Sequence, residues 1–214
     1  MRQLYIIPII HSRHDFGSLD QPIRDAKSQF TSASSMESNQ RVVDFFWNEL
    51  QHGIESWRLD YSNAFIFQDA LPFTGHPDRI LEHRIVDELA TKGSANHKLV
   101  QWLVSQGATL EGTESTVLLL REYDLVRKSL AEGVNRYDEP VNSASTGEVV
   151  ETLLNQRDRF IAGRIAETLN ANQIGILFIG MQHRVQDYLQ PDFQVSYPFG
   201  RMKVHVAASF QDAV

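Results

Sequence analysis

The stretch that decides the fold is Gly175 to Leu189, GILFIGMQHRVQDYL. Its apolar run, Ile176 to Ile179, lies between two glycines and is typical of a buried strand. Gly180 and His183 then complete a Gly-x-x-His pattern, and a second run with apolar spacing begins. A strand that passes into a helix in this way places an imidazole at the carboxyl end of a sheet strand, which is where open α/β sheets bind ligands.

A segment near the N-terminus has the same form. The apolar residues Leu4 to Ile10 predict a first strand, and His11 follows it directly. Pro8 lacks a backbone N–H group, which favours an edge strand or a strand that ends in a bulge. If the two strands run parallel, His11 and His183 open onto the same edge of the sheet.

Helical and strand patterns alternate along the rest of the chain. Helices are predicted for 36–57, 79–92, 94–107, 114–132, 146–170 and 183–189, and further strands for 64–67, 108–112, 194–197 and 203–207. The alternation predicts an α/β fold whose largely parallel sheet has helices on both faces, and the last two strands could add an antiparallel hairpin. We expect one domain over 1–214, with the two successive helices at about 78–107 as a helical insertion or lid.

Composition and charge argue against several classes of protein. The formal net charge of −7 argues against a nucleic-acid surface as the main function. The chain has no cysteine, so disulfides and cysteine nucleophiles are excluded. The apolar run after Arg2 is too short for a signal peptide, and no run approaches the roughly 18 residues that span a bilayer. The sequence therefore predicts a cytoplasmic protein that contacts neither membrane nor nucleic acid.

The helix before the Gly175 strand carries two charges beside its apolar stripe. Arg157 lies three residues after Leu154 and four before Ile161, and Asp158 is its neighbour. Charges among apolar side chains are costly unless they are paired. One reading is a structural ion pair or an arginine that reaches the surface. The other is a polar pocket in which Arg157 directs its guanidinium at a carboxylate or an anionic ligand.

Histidines and acids follow several of the predicted strands. His14 and Asp15 lie just after His11 in the same loop. Acids that could join them are Asp69, which follows the second strand, and Glu111 or Glu114 at the third, although Glu114 also suits the first turn of a helix. Imidazole with carboxylate suits zinc, manganese or iron, and such a metal can supply hydroxide for hydrolysis. Structural roles for the same histidines remain an alternative.

Motifs for other reactions are missing. The chain contains no Gly-x-Ser-x-Gly, no phosphate-binding P-loop, no Gly-x-Gly-x-x-Gly and no His-Glu-x-x-His pattern. The sequence therefore gives no support to a serine hydrolase of the nucleophile-elbow type or to a dinucleotide enzyme.

The segment RDRFIAGRIAETLNANQIGILFIGMQHRVQDYL resembles the C-terminal signature of the TraB, PrgY and Tiki family, within the superfamily that also holds ChaN-like and erythromycin-esterase-like proteins. Arg157, Asp158, Gly180 and His183 match that signature. The family's N-terminal strand ends in a second Gly-x-x-His, and here PIIH retains His11 but has Pro8 in place of the glycine. The resemblance covers about the first 15 residues and the last third of the chain.

The resemblance implies an α/β fold with both histidine motifs at one cleft. Tiki-like members are divalent-metal-dependent proteases that use the two histidines and a glutamate, ChaN-like relatives bind haem, and esterase-like relatives hydrolyse a lactone. The glutamate usually follows the second strand, where this chain has Gln68 and Asp69. This departure puts catalysis in question.

Two functions follow as expectations. The first is a hydrolase of an ester or peptide bond, in which His11 and His183 hold manganese, zinc or the attacking water. Asp69 or Glu114 would supply the carboxylate, and Arg157 would orient it or stabilise an oxyanion. The second is a binding module without turnover, for a small anionic or haem-like ligand or a partner protein, with His14, Asp15, Asp158, Gly180 and Gln68 in its cleft. Phe45, Phe46 and Trp47 put apolar rings on more than one helix face, which permits a homo-oligomer.

Overall fold

A computed structural model describes residues 1–10, 15, 33–131 and 144–200. Five strands form its sheet: β1 (Arg2–Ile9), β2 (Ala64–Gln68), β3 (Thr109–Glu111), β4 (Ile174–Gly180) and β5 (Phe193–Ser196). Five α-helices connect them: α1 (Ala33–Glu55), α2 (Ile80–Thr91), α3 (Ala95–Ser105), α4 (Thr116–Ala131) and α5 (Ala144–Thr168). Short 3₁₀ turns occupy Tyr61–Asn63 and Val185–Tyr188.

The sheet is parallel throughout, in the order β3-β2-β4-β1-β5. The Gly175 strand, β4, lies at its centre between β2 and β1. Its five central residues are all buried, as expected of a parallel strand that is covered on both faces. The predicted α/β fold is therefore confirmed.

Helices cover both faces of the sheet. On one face, Ile7, Ile66 and Phe178 pack with residues of α1, α2 and α3. On the other face, Leu177 and Ile179 pack against α5. The alternation of β4 side chains between these two clusters is the two-residue period of a strand.

Strand β1 is not an edge strand, in contrast to one expectation from Pro8. It pairs with β4 along its length and with β5 over Arg2 to Tyr5. Pro8 lies beyond the end of the β5 pairing, and among the described residues it pairs with Ile179 alone. The missing N–H therefore breaks no ladder on the β5 side, which explains why a proline fits a strand inside the sheet.

The C-terminal elements are described only in part. Strand β5 runs parallel to β1. The second predicted strand, 203–207, lies outside the described residues, so the antiparallel hairpin of 194–197 with 203–207 stays a prediction. The helix predicted for 183–189 is a 3₁₀ turn over Val185–Tyr188.

Helices α2 and α3 form the crossover between two parallel neighbours, β2 and β3. Val86 of α2 and Leu99, Val100 and Leu103 of α3 belong to the core on that face of the sheet. The segment expected as an insertion or lid is therefore part of the connection that the parallel pair requires. Ser94 caps α3 by accepting a hydrogen bond from the His97 N–H.

None of the described helices is long and apolar enough to cross a membrane.

Candidate functional site

The loops that follow β2 and β3 lie side by side at the carboxyl edge of the sheet. Phe73 donates its backbone N–H to the Glu114 carbonyl at 2.7 Å, and Glu114 donates its own to the Leu71 carbonyl at 2.9 Å. A Cβ at Gly112 would come within 2.6 Å of the Phe73 Cα and 2.8 Å of the Pro72 carbonyl oxygen. Only glycine permits this approach, so the sequence of the loop helps to place Glu114 beside the end of β2.

Arg157 is the centre of the buried charges at this edge. Its Nη2 donates to Asp69 Oδ1 at 2.9 Å and to Glu114 Oε1 at 2.6 Å, and its Nε donates to Glu114 Oε2 at 2.6 Å. Its Nη1 donates to Glu122 Oε1 at 2.7 Å. The fork geometry of the guanidinium suits this set, and the arginine joins α5 to β2, α4 and the loop before α4.

Glu114 also holds a strained turn. Its Oε1 accepts the backbone N–H of Ala70 at 2.8 Å, and Ala70 has a φ of 60°, in the left-handed region that costs energy for a side chain with a Cβ. Burial, opposed by the hydrogen bonds and charge of Arg157, raises the pKa of Glu114 to about 7. The same acids raise the pKa of Arg157 against the effect of its own burial, so the guanidinium stays charged.

His183 and Asp158 form a second pair at the same edge. Asp158 Oδ1 lies 2.5 Å from His183 Nδ1, and its Oδ2 accepts the Arg184 backbone N–H at 2.8 Å. The side chains of both residues are almost completely buried, with exposed fractions of 5 % for His183 and 1 % for Asp158. Burial opposes charge on the imidazole, but Asp69 and the hydrogen bond to Asp158 outweigh it and raise the pKa of His183.

Asp69 lies between the two groups. Its Oδ2 accepts the backbone N–H of Gly180 at 2.8 Å, and its Oδ1 is 3.9 Å from His183 Nε2. That separation is too long for a direct hydrogen bond, so Asp69 does not occupy Nε2. Among the described residues, the imidazole is therefore held through Nδ1, and Nε2 forms no hydrogen bond.

Gln68 is the last residue of β2. Its Nε2 donates to the Asp69 carbonyl at 3.3 Å, while its Oε1 is buried and has no hydrogen-bond partner in the described part of the chain. Asp69 and Glu114, from two different strand ends, are buried acids that bond to Arg157.

A cavity of about 170 Å³ opens beside His183. It is lined by residues from β1, β4, the loop after β4 and the chain after β5: Ile6, Pro8, Ile179, Gly180, Met181, His183, Arg184, Gln186 and Tyr197. Apolar side chains of the two strands form part of its wall, and exposed Arg184 lies at its rim. The cavity has room for a small group beside the imidazole.

Several predicted residues fall elsewhere. His11 and His14 lie outside the described residues, so the expected pairing of His11 with His183 stays a prediction. Asp15 lies at the N-terminus of α3, where the Ser94 hydroxyl donates to its Oδ1 at 2.5 Å. Ser94 Oγ is also 2.7 Å from His97 Nδ1.

Two of these partners, His97 and Glu122, were not identified from the sequence. His97 is buried on α3. Ser94, by contrast, lies where the sequence predicts that this helix begins, and a serine there is a capping signal, although it does not identify Asp15 as a partner. Glu122, at 42 % side-chain exposure, completes the acids around Arg157 and gave no local signal.

The expected metal site was compared with the donors present. The described residues contain no group of three histidine, aspartate or glutamate side chains arranged to hold a metal ion. Asp69 and Glu114 do not fit as ligands, because the Arg157 cation is already bonded to both. His183 does fit, since metal-binding histidines commonly have their second ring nitrogen bonded to a carboxylate.

The raised pKa values predict how stability depends on pH. Glu114 holds its proton in the folded protein up to pH of about 7, whereas its ordinary value is 4.5. The folded state therefore binds more protons in this window, and the free energy of unfolding falls as pH rises through it. His183 acts in the same direction, because the stability it adds below its ordinary pKa of 6.5 is lost as pH rises through its raised value.

We expect Glu114→Gln to flatten the fall in stability between pH 4.5 and 7. Urea denaturation of the variant, of wild type and of Glu49→Gln, which changes an exposed residue of α1, would measure this at a series of pH values. A Glu114→Gln curve parallel to that of wild type would refute a protonated Glu114.

Comparisons of the chain with protein-family models, curated proteins and solved structures found no match.

Proposed function

We propose that the protein hydrolyses an ester or peptide bond, with His183 as the residue that takes a proton from the attacking water. The observation that carries this proposal is the Asp158–His183 pair at 2.5 Å in the wall of a cavity at the carboxyl edge of the sheet. An imidazole held by a buried carboxylate is the arrangement of histidine bases in many hydrolases.

The tautomer of His183 follows from its partners. With the Nδ1 proton donated to Asp158, the neutral ring has its lone pair on Nε2. Asp158 is held in turn by the Arg184 N–H, so rotation of the ring would break its hydrogen bond to an acceptor that is itself fixed. Nε2 is therefore the atom that accepts the proton, and the imidazolium that forms is stabilised by Asp158 and Asp69.

Arg157 acts as a positioning residue in this proposal. Its guanidinium donates hydrogen bonds to Asp69, Glu114 and Glu122. Because these carboxylates use its donors, Arg157 positions them and does not bind the oxyanion. Arg184, exposed at the rim of the cavity, is the cation that can meet negative charge on a substrate.

Manganese or zinc enters only through the TraB, PrgY and Tiki resemblance, as an alternative to proton transfer by His183. The Nε2 lone pair would then hold the ion in place of accepting a proton, and the ion would supply a water of lowered pKa. The cytoplasmic location and the small-molecule or peptide substrate expected from the sequence also remain part of the proposal.

A second candidate function is binding without turnover. The raised pKa of His183 makes its imidazolium form more stable than that of a free histidine, and together with Arg184 it would suit a small anionic ligand. This reading predicts a ligand that raises the melting temperature and is recovered unchanged.

Activity against a panel of esters, lactones and peptides, with chelator and with added manganese or zinc, tests the proposal. We expect wild type to convert at least one member and His183→Ala to lose that activity. His52→Ala, at an exposed position of α1, is the matched control and should retain it. Equal rates for wild type and His183→Ala under every condition would end the hydrolase reading, and a stabilising ligand that stays intact would favour binding.

A further inference from the structure

Helices α4 and the first half of α5 carry apolar residues that neither core cluster includes. Val117 and Leu120 of α4 are 60 % and 58 % exposed, and Val149 of α5 is 50 % exposed. Single exposed apolar residues are ordinary, but several on two adjacent helices indicate an interaction surface.

A groove of about 640 Å³ lies between these helices. Its apolar lining is Leu125, Val149 and Leu153, and its charged lining is Arg121, Asp124, Lys128 and Glu148. This cavity is much larger than the one beside His183, and it lies on a different surface.

The two helices that line the groove carry opposite charge. The exposed residues of α4 include the cations Arg121, Arg127 and Lys128 and the acid Asp124, while the half-buried Glu122 is bonded to Arg157. The first half of α5, residues 144–156, carries Glu148 and Glu151 and has no lysine or arginine. Within the described part of the chain, Arg121 forms no ion pair with either of these glutamates.

We propose that this groove is the interface between two copies of the chain, related by a two-fold axis that sets α4 of each copy against α5 of the other. A two-fold interface must be self-complementary, so that a contact from the first copy to the second is repeated in reverse. Because α4 is basic and the first half of α5 is acidic, the two-fold axis creates two identical contacts. In each of them the basic α4 of one copy faces the acidic α5 of the other.

Charge also explains why a second copy is a better occupant than an unrelated acidic or basic partner. Two chains that each carry a net charge of −7 repel one another unless the meeting surfaces have opposite local charge. On the α4–α5 surface, α4 presents more cations than acids and the first half of α5 presents acids only, around an apolar centre. An acidic partner would meet the glutamates of α5, and a basic partner would meet the cations of α4.

The interface would lie directly behind the buried charges. Arg121 and Gln156 line the groove, while their chain neighbours Glu122 and Arg157 form an ion pair with each other. Dimerisation and hydrolysis are nevertheless separate claims, because the interface can form whether or not His183 is catalytic.

The test uses two charge-reversed variants of the full chain and sedimentation analysis of their mass. The first variant makes α4 acidic through Arg121→Glu with Lys128→Glu. The second makes α5 basic through Glu148→Lys with Glu151→Lys. We expect wild type to be dimeric and each variant alone to be monomeric, because each places like charges together at both contacts.

A mixture of the two variants should form a dimer again, since the acidic α4 of one then faces the basic α5 of the other. Phe45→Glu, at an exposed position of α1, should leave the wild-type dimer intact. Circular dichroism would establish that each variant is folded. A monomeric wild type, charge variants that remain dimeric, or a mixture that stays monomeric would each overturn the proposal.

Discussion

Arg157→Met should lower the free energy of unfolding by roughly 3–5 kcal/mol, the loss expected when one partner of a buried ion pair is removed. The substitution keeps most of the side-chain volume but leaves Asp69 and Glu114 without their cation. Asp69 and Glu114 are almost fully buried, at 3 % and 0 % side-chain exposure, so water cannot replace the guanidinium. Urea denaturation would measure the change.

Arg159→Met is the matched control on the same helix. Arg159 is exposed and lies 5.1 Å from the centre of the Tyr188 ring, so its loss should cost no more than about 1 kcal/mol. Adding Glu114→Gln to Arg157→Met should recover part of the lost stability above pH 7, where Glu114 must otherwise be buried as a charge or take up a proton. Equal costs for the two arginine variants, or strictly additive effects in the double variant, would refute the buried network.

Asp158→Asn should reduce kcat by about 10²–10⁴-fold while the protein stays folded. The Arg184 N–H requires an acceptor, so the new amide oxygen is held where Oδ2 now lies. The amide NH₂ group then faces His183 Nδ1 and donates to it. This forces the ring proton onto Nε2, which removes the lone pair that accepts the proton of the attacking water.

Steady-state kinetics on whichever substrate the panel identifies would measure this loss. Asp187→Asn is the control, since Asp187 is exposed in the 3₁₀ turn after His183. Full activity in Asp158→Asn would show that the pair has a structural role only.

Much of the fold could be predicted because its signals are local. The apolar run of β4 between two glycines and the spacing of apolar residues in α5 need only neighbouring positions to be recognised. The order of the strands could not be predicted in the same way. Strand β5 pairs with β1, which is distant in sequence. The sequence of a four-residue strand does not indicate which strand it pairs with or in which direction it runs.

The residues of the candidate site could likewise be predicted where their signals are local, but their long-range contacts could not. Arg157, Asp158 and His183 stood out as charges near apolar runs, and the structure brings the last two together across 25 residues. The contact of Arg157 with Glu114 spans 43 residues and depends on the Gly112 approach between two loops. No rule based on sequence spacing predicts such a contact. Glu114 could therefore be named only as one candidate acid, and Glu122 could not be identified as a partner of Arg157.

The central claim is that His183 accepts a proton during hydrolysis, and the pH dependence of kcat/KM tests it most directly. We predict a rate that rises with pH and has its midpoint above 6.5, because the acids around His183 raise its pKa. NMR titration of the His183 ring should give the same midpoint. A rate whose pH dependence is the same in wild type and in His183→Asn, where the amide can still bond Asp158, would contradict the account.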